Sequence, residues 1–98
     1  MESIVIMGID PGLANTGWGV VETRGARLAP VAYGCITTST SVELPSRLAI
    51  IHDNLCETID RYHPVALAVE GIYFGVNTKS AIATAQARGA ALVACAYK

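Results

Sequence analysis

The apolar run Ile4-Val5-Ile6-Met7-Gly8-Ile9 ends on an acid, Asp10, and breaks at once into Pro11-Gly12. Successive apolar positions, without alternation, read as a central strand covered on both faces, which implies helices on both sides of a sheet. A second apolar run, Leu67-Ala68-Val69, also ends on an acid, Glu70. An ionised carboxylate is costly to desolvate, so acids at the tips of buried strands need a cation, a hydrogen-bond cage or a partner charge. Two carboxylates on adjacent strand ends make half of a hard-cation site, because Mg²⁺ and Mn²⁺ prefer oxygen ligands. The bland alternative is that Asp10 caps the Pro11-Gly12 turn and Glu70 meets a basic side chain.

The rest of the chain places these acids. Residues 16–22 and 27–37 read as two more strands, joined by turns at Asp10 to Asn15 and around Thr23-Arg24-Gly25-Ala26, so a three-stranded antiparallel meander is the simplest arrangement. Leu44, Leu48, Ile51, Leu55, Ile59 and Tyr62 recur at steps of three and four, one face of an amphipathic helix. Pro45 fits its first turn and Pro64 ends it. Val65 to Ile72 reads as a fourth strand. The helix before it is a crossover, which favours parallel pairing beside the first strand and would bring Glu70 next to Asp10. Asn77 or Thr78 could cap a last, alanine-rich helix through Lys79 to about Tyr97, whose small residues allow close approach to the sheet or to a second subunit. That helix reaches the end of the sequence without a cap or a Gly or Pro stop, which reads as one partial domain, residues 1–98, of a larger unit.

Composition narrows the setting. At 98 residues and 52% hydrophobic the chain is a single globular unit, and a mean hydropathy of +0.42 implies apolar surface meant for a partner or for further sequence. A net charge of −1 supplies no basic footprint for nucleic acid. Cys35, Cys56 and Cys95 form no C-x-x-C pair and sit among apolar neighbours, as reduced core thiols of a cytoplasmic protein would. No secretory signal opens the sequence, and the run from Ala90 to Tyr97 is too short to span a bilayer.

Read whole, Gly8-Ile9-Asp10-Pro11-Gly12 followed by Thr16-Gly17-Trp18-Gly19-Val20 resembles the opening strand and hairpin of RuvC-type Holliday junction resolvases. Gly34-Cys35-Ile36, Leu44-Pro45-Ser46-Arg47-Leu48, Val69-Glu70 and Gln86-Ala87-Arg88-Gly89 follow in that family's order and spacing. The resemblance implies an α/β, ribonuclease H-like mixed sheet flanked by helices, cut short before the last strand and helix. It also implies a metal-dependent, structure-selective endonuclease that resolves Holliday junctions in recombination and repair. The family works as a homodimer on four-way DNA junctions, making paired symmetric nicks by in-line attack of a metal-activated water, with branch-migration helicases as partners.

Carried over, Asp10 resembles the first catalytic metal ligand and Glu70 the second, with Mg²⁺ as cofactor and Mn²⁺ as a substitute. The family's other acidic ligands lie on a later helix, so these 98 residues alone are expected to bind metal weakly and not to cut. Tyr73 occupies the place of an aromatic that stacks on junction bases, a contact of about 1–3 kcal/mol per base; Phe74 beside it reads as packing. Lys79 and Arg88, nine positions apart and on roughly opposite faces of the last helix, are candidates for phosphate contact. Arg47 in the Leu-Pro-Ser-Arg-Leu segment suggests a structural ion pair. His52 and His63 form no ligand pair and receive no role. The competing class is an actin-like or sugar-kinase-like nucleotide-binding module, which shares a strand ending in Asp-x-Gly. That class favours Thr or Ser where Leu13 stands and has no reason for an acid at Glu70.

Overall fold

The computed structural model describes residues 3–71 and 78–98, with side chains from Ala81 onward in the second segment. Strand β1 (Ser3–Asp10) pairs antiparallel with β2 (Asn15–Arg24), and β2 pairs antiparallel with β3 (Arg27–Thr37). Helix α1 (Leu44–Tyr62) then crosses over to β4 (Ala66–Val69), which lies parallel to β1, and α2 (Thr78–Tyr97) follows. The sheet order is β3-β2-β1-β4, as the meander and crossover pattern predict.

Local chemistry explains the joints. Gly25, at φ 64°, occupies the first central position of the β2–β3 hairpin turn, where a side chain would be strained. Pro45 lies in the first turn of α1, and His63 closes the helix in a left-handed conformation, donating its N–H to the Ile59 carbonyl just before Pro64. The β1–β2 turn is held from within. The Thr16 hydroxyl, fully buried, donates to the Gly12 carbonyl at 2.7 Å and accepts from the Gly12 N–H at 3.2 Å. A side chain at Gly12 would lie 2.3 Å from the Asn15 carbonyl oxygen, so that turn requires glycine.

The core forms on one face of the sheet. Met7, Ile9, Val20 and Ile36 meet Ile51, Leu55 and Ile59 of α1 and the small residues Ala87, Ala91 and Ala94 of α2. The expectation that β1 is covered on both faces is corrected among the described residues: Met7 and Ile9 are buried, whereas Ile4 and Gly8 are exposed on the opposite face. An unbroken apolar run cannot reveal which side is covered, and here the alternate positions Ile4 and Ile6 look away from both helices. The alanines of α2 serve α1 within the same chain, and its exposed stripe is a different one, carrying Ile82, Gln86, Gly89 and Val93. All three thiols are free; Cys35 is exposed, against expectation, whereas Cys56 and Cys95 are half-buried and pack against the core. No described helix is long and apolar enough to cross a membrane.

Trp18 ties the sheet to the crossover. Its ring stacks obliquely on Tyr62, with centroids 5.9 Å apart, and lies over Gly34 of the next strand. A Cβ at Gly34 would come within 2.7 Å of the indole. Gly34→Ala is therefore expected to destabilise the fold by about 1–3 kcal/mol, the usual cost of overpacking. In a double-mutant cycle read by denaturant unfolding, Trp18→Leu should absorb most of that penalty; additive losses would show that the indole is not the obstacle.

Candidate active site

Asp10 is the last residue of β1, and Glu70 follows β4 directly. Parallel pairing places Ile9 opposite Val69, and the Glu70 N–H donates to the Ile9 carbonyl at 3.0 Å, so the acids are the next residues along two hydrogen-bonded strands. Both occupy the sheet face turned away from the helices. In front of them lies an open trough of about 410 Å³, floored by Gly8, Gly17, Gly19 and Ala68. Cβ atoms at Gly8 and Gly19 would meet no atom within 4 Å, so the missing side chains leave space above the backbone.

The two carboxyls feel each other. A side-chain hydrogen bond with Asp10, then repulsion from its charge, then partial desolvation raise the Glu70 pKa above the ordinary carboxylate value. Among the described residues no third His, Cys, Asp or Glu joins them in a metal-binding group. The donors present are hard oxygens in an open site, and they fit a Mg²⁺-class ion that keeps several waters.

Of the other sequence-predicted residues, Arg88 is drawn to the site: its Nε donates to the Glu70 carbonyl at 3.1 Å, reaching from α2 to the end of β4. Tyr73 and Phe74, and the Lys79 side chain, lie outside the described residues. Arg47 corrects the expected ion pair. It makes no salt bridge among the described residues; its Nε donates to the Thr38 hydroxyl at 2.8 Å and Nη2 to the Thr38 carbonyl at 3.4 Å. Thr38 in turn donates through Oγ1 to the Leu13 carbonyl at 2.6 Å and through its N–H to the Ala14 carbonyl at 3.0 Å, bracing the turn that follows Asp10. Sequence reasoning missed Thr38 and this use of Arg47. The signal was present in the spacing: Arg47, Ile51, Leu55 and Ile59 step by four, which places the arginine on the buried stripe of α1.

The raised Glu70 pKa has a direct consequence. The folded state holds a proton that the unfolded chain releases, so the pair's favourable contribution is present below the ordinary carboxylate pKa and is lost as pH rises through the raised one. Without metal, Glu70→Gln should therefore raise Tm at neutral pH and change little in acid, in paired melts at the two pH values. A Tm that falls equally at both would show that the carboxylate stabilises the fold instead.

Comparison with known proteins identifies the family. The family model for "Crossover junction endodeoxyribonuclease RuvC" matches residues 6–98. The curated RuvC of Methylobacillus flagellatus is 49% identical over 94 residues, covering 91% of this chain and 52% of that protein. The one from Rubrobacter xylanophilus is 48% identical, covering 96% and 52%. The chain thus spans about half the length of the curated relatives it matches. A structure of T. thermophilus RuvC in complex with a Holliday junction substrate superposes with a TM-score of 0.89 at 34% identity, covering 96% of this chain and 58% of that one. An Aquifex aeolicus Ppx/GppA enzyme, at 16% identity and a TM-score of 0.59, shares the fold alone. With nearly all of its sequence covered by these matches, the chain belongs to the RuvC family of crossover junction endodeoxyribonucleases and has that family's ribonuclease H-like fold.

Proposed function

We propose that the protein carrying these residues resolves Holliday junctions by paired, metal-dependent nicks, with Asp10 and Glu70 as ligands for Mg²⁺ or Mn²⁺. The observation that carries this reading is the carboxylate pair itself: two acids at the ends of parallel strands, one raised in pKa by the other, beside an open trough. Bound there, a divalent ion supplies Lewis acidity toward water and a phosphodiester oxygen. The chain's own residues set the stage for it. The Arg88 guanidinium steadies the Glu70 carbonyl, and the Thr16 and Thr38 bonds hold the turn behind Asp10. Among the described residues Arg88 spends only its Nε–H, on the Glu70 carbonyl, which leaves its other donors for phosphate, and Tyr73 and Lys79 extend the DNA contact. The work is cytoplasmic, in concert with branch-migration helicases. Family membership weighs against the nucleotide-binding alternative, which has no use for Glu70.

The test is cleavage of a synthetic four-way junction with Mg²⁺ or Mn²⁺, comparing the complete gene product, residues 1–98 alone, and Asp10→Asn and Glu70→Gln variants. Complete wild type should make symmetric nicks and residues 1–98 none. Each substitution should cost more than about 100-fold in rate, since even outer-shell partners of a metal site approach that loss. A complete protein that binds nucleotide and leaves junctions whole would overturn the reading.

Symmetric nicks need two copies. The outer stripe of α2, with exposed Ile82 and Val93 flanking Gly89, offers an apolar surface whose centre lacks a side chain and lets a second helix approach closely. We place the homodimer contact there, a different stripe from the alanine face that α1 covers. Val93→Glu should shift the complete protein toward monomer in light scattering while leaving its circular dichroism unchanged. A dimer indifferent to this substitution would place the contact elsewhere.

A further inference from the structure

Arg47 is a buried charge that the carboxylate pair does not explain. It retains 9% of its surface exposure. A guanidinium carries five N–H donors, and Thr38 takes only two of them. No described carboxylate pairs with it, and residues 72–80 contain no acid. Among the described residues no buried side-chain nitrogen lacks a partner, so the guanidinium nitrogen that Thr38 leaves unbonded reaches the surface, where an anion with matching acceptors can meet it. The spare donors have room to meet one. An open cavity of about 390 Å³ is lined by Arg47, by Gly12 and Asn15 of the turn after Asp10, and by Thr84 of α2.

We propose that Arg47, with Thr84 of the same cavity, binds a phosphodiester of the DNA backbone adjacent to the one at the Asp10–Glu70 pair. The planar fork of arginine matches two oxygens of one phosphate, which a lysine cannot do. The Gly12–Asn15 turn that lines this cavity follows directly on Asp10 of the trough, so a strand reaching both would cross that turn; to that extent the assignment rests on the nuclease reading. The same guanidinium braces the turn through Thr38, so phosphate capture and placement of Asp10 are linked through one side chain.

The measurement is the salt dependence of binding to a fluorescent four-way junction by the complete protein, without divalent metal. Each phosphate contact adds about 0.9 to the slope of log K against log salt. Arg47→Met should lower the slope by about one and weaken binding several-fold, while Arg47→Lys keeps the slope. Thr38→Val removes the side-chain brace and leaves the charge, so it should leave the slope unchanged; an effect equal to that of Arg47→Met would reduce Arg47 to a structural brace. Should Arg47→Met fail to fold, the Arg47 Nε–H resonance of the wild type decides: a saturable shift with dimethyl phosphate supports the site. No shift would mean that an acid of the protein already occupies the guanidinium, and would overturn it. Junction cleavage by the same wild-type sample keeps the two readings apart. A slope loss in a protein that cannot cut leaves the phosphate site standing and removes the nuclease, whereas an unchanged slope in a protein that cuts does the reverse.

Discussion

Two like charges held side by side are the constraint around which the rest of this structure is arranged. Asp10 and Glu70 repel, and the parallel pairing of β1 with β4 keeps them together, closed at one end by the Val65 N–H on the Val5 carbonyl and at the other by the Glu70 N–H on the Ile9 carbonyl. Parallel neighbours cannot be joined by a tight turn, so the fold needs a crossover, and α1 is that crossover. The core beneath it, Ile51, Leu55 and Ile59 against Met7, Ile9 and Val20, therefore holds β4 in register as well as stabilising the chain. A slip of one residue would turn Glu70 to the helix face and separate the pair.

The two faces of the sheet are built for opposite ends. The helix face is filled by the core side chains, with Trp18 fitted over Gly34 so closely that a methyl group has no place. The other face, in front of the carboxylates, is paved with Gly8, Gly17, Gly19 and Ala68, which contribute almost no side chain. Glycine inside strands weakens them, and four small residues in one patch would be poor design for stability alone. They make sense where something must approach the backbone closely.

Much of this was legible in the sequence because it depends on period and punctuation. The three- and four-residue steps from Leu44 to Tyr62, bounded by Pro45 and Pro64, gave α1 to the residue, and the crossover rule then placed Glu70 beside Asp10. The shortfalls share a physical origin in ambiguity about burial. Ile4 and Ile6 carry the same hydrophobicity as Met7 and Ile9, so only the positions of the helices tell which side is covered. Cys35 sits between apolar residues, yet strand alternation turns it outward while Ile36 turns in. Arg47 was legible as to position, through its steps of four to Ile51 and Leu55, but not as to partner: an arginine among leucines suggests a carboxylate, and the structure satisfies it with a threonine hydroxyl and a carbonyl.

Each carboxylate is tied to a different helix by one arginine. From α1, Arg47 reaches Thr38, and Thr38 holds the Leu13 and Ala14 carbonyls three and four residues beyond Asp10. From α2, Arg88 holds the Glu70 carbonyl itself. These are contacts to backbone, so they fix the strand ends and leave the carboxylate oxygens free to ligate. The packing of α1 on α2, through Ala87, Ala91 and Ala94 against the α1 core stripe, thereby bears on the spacing of the acids. Small side chains let the helices approach closely and leave few alternative rotamers, which makes that spacing stiff. Under the proposed metal-binding role, a site that brings two anions within reach of one cation would gain more from such stiffness than from added stability, because its binding energy would not be spent on drawing the carboxylates together.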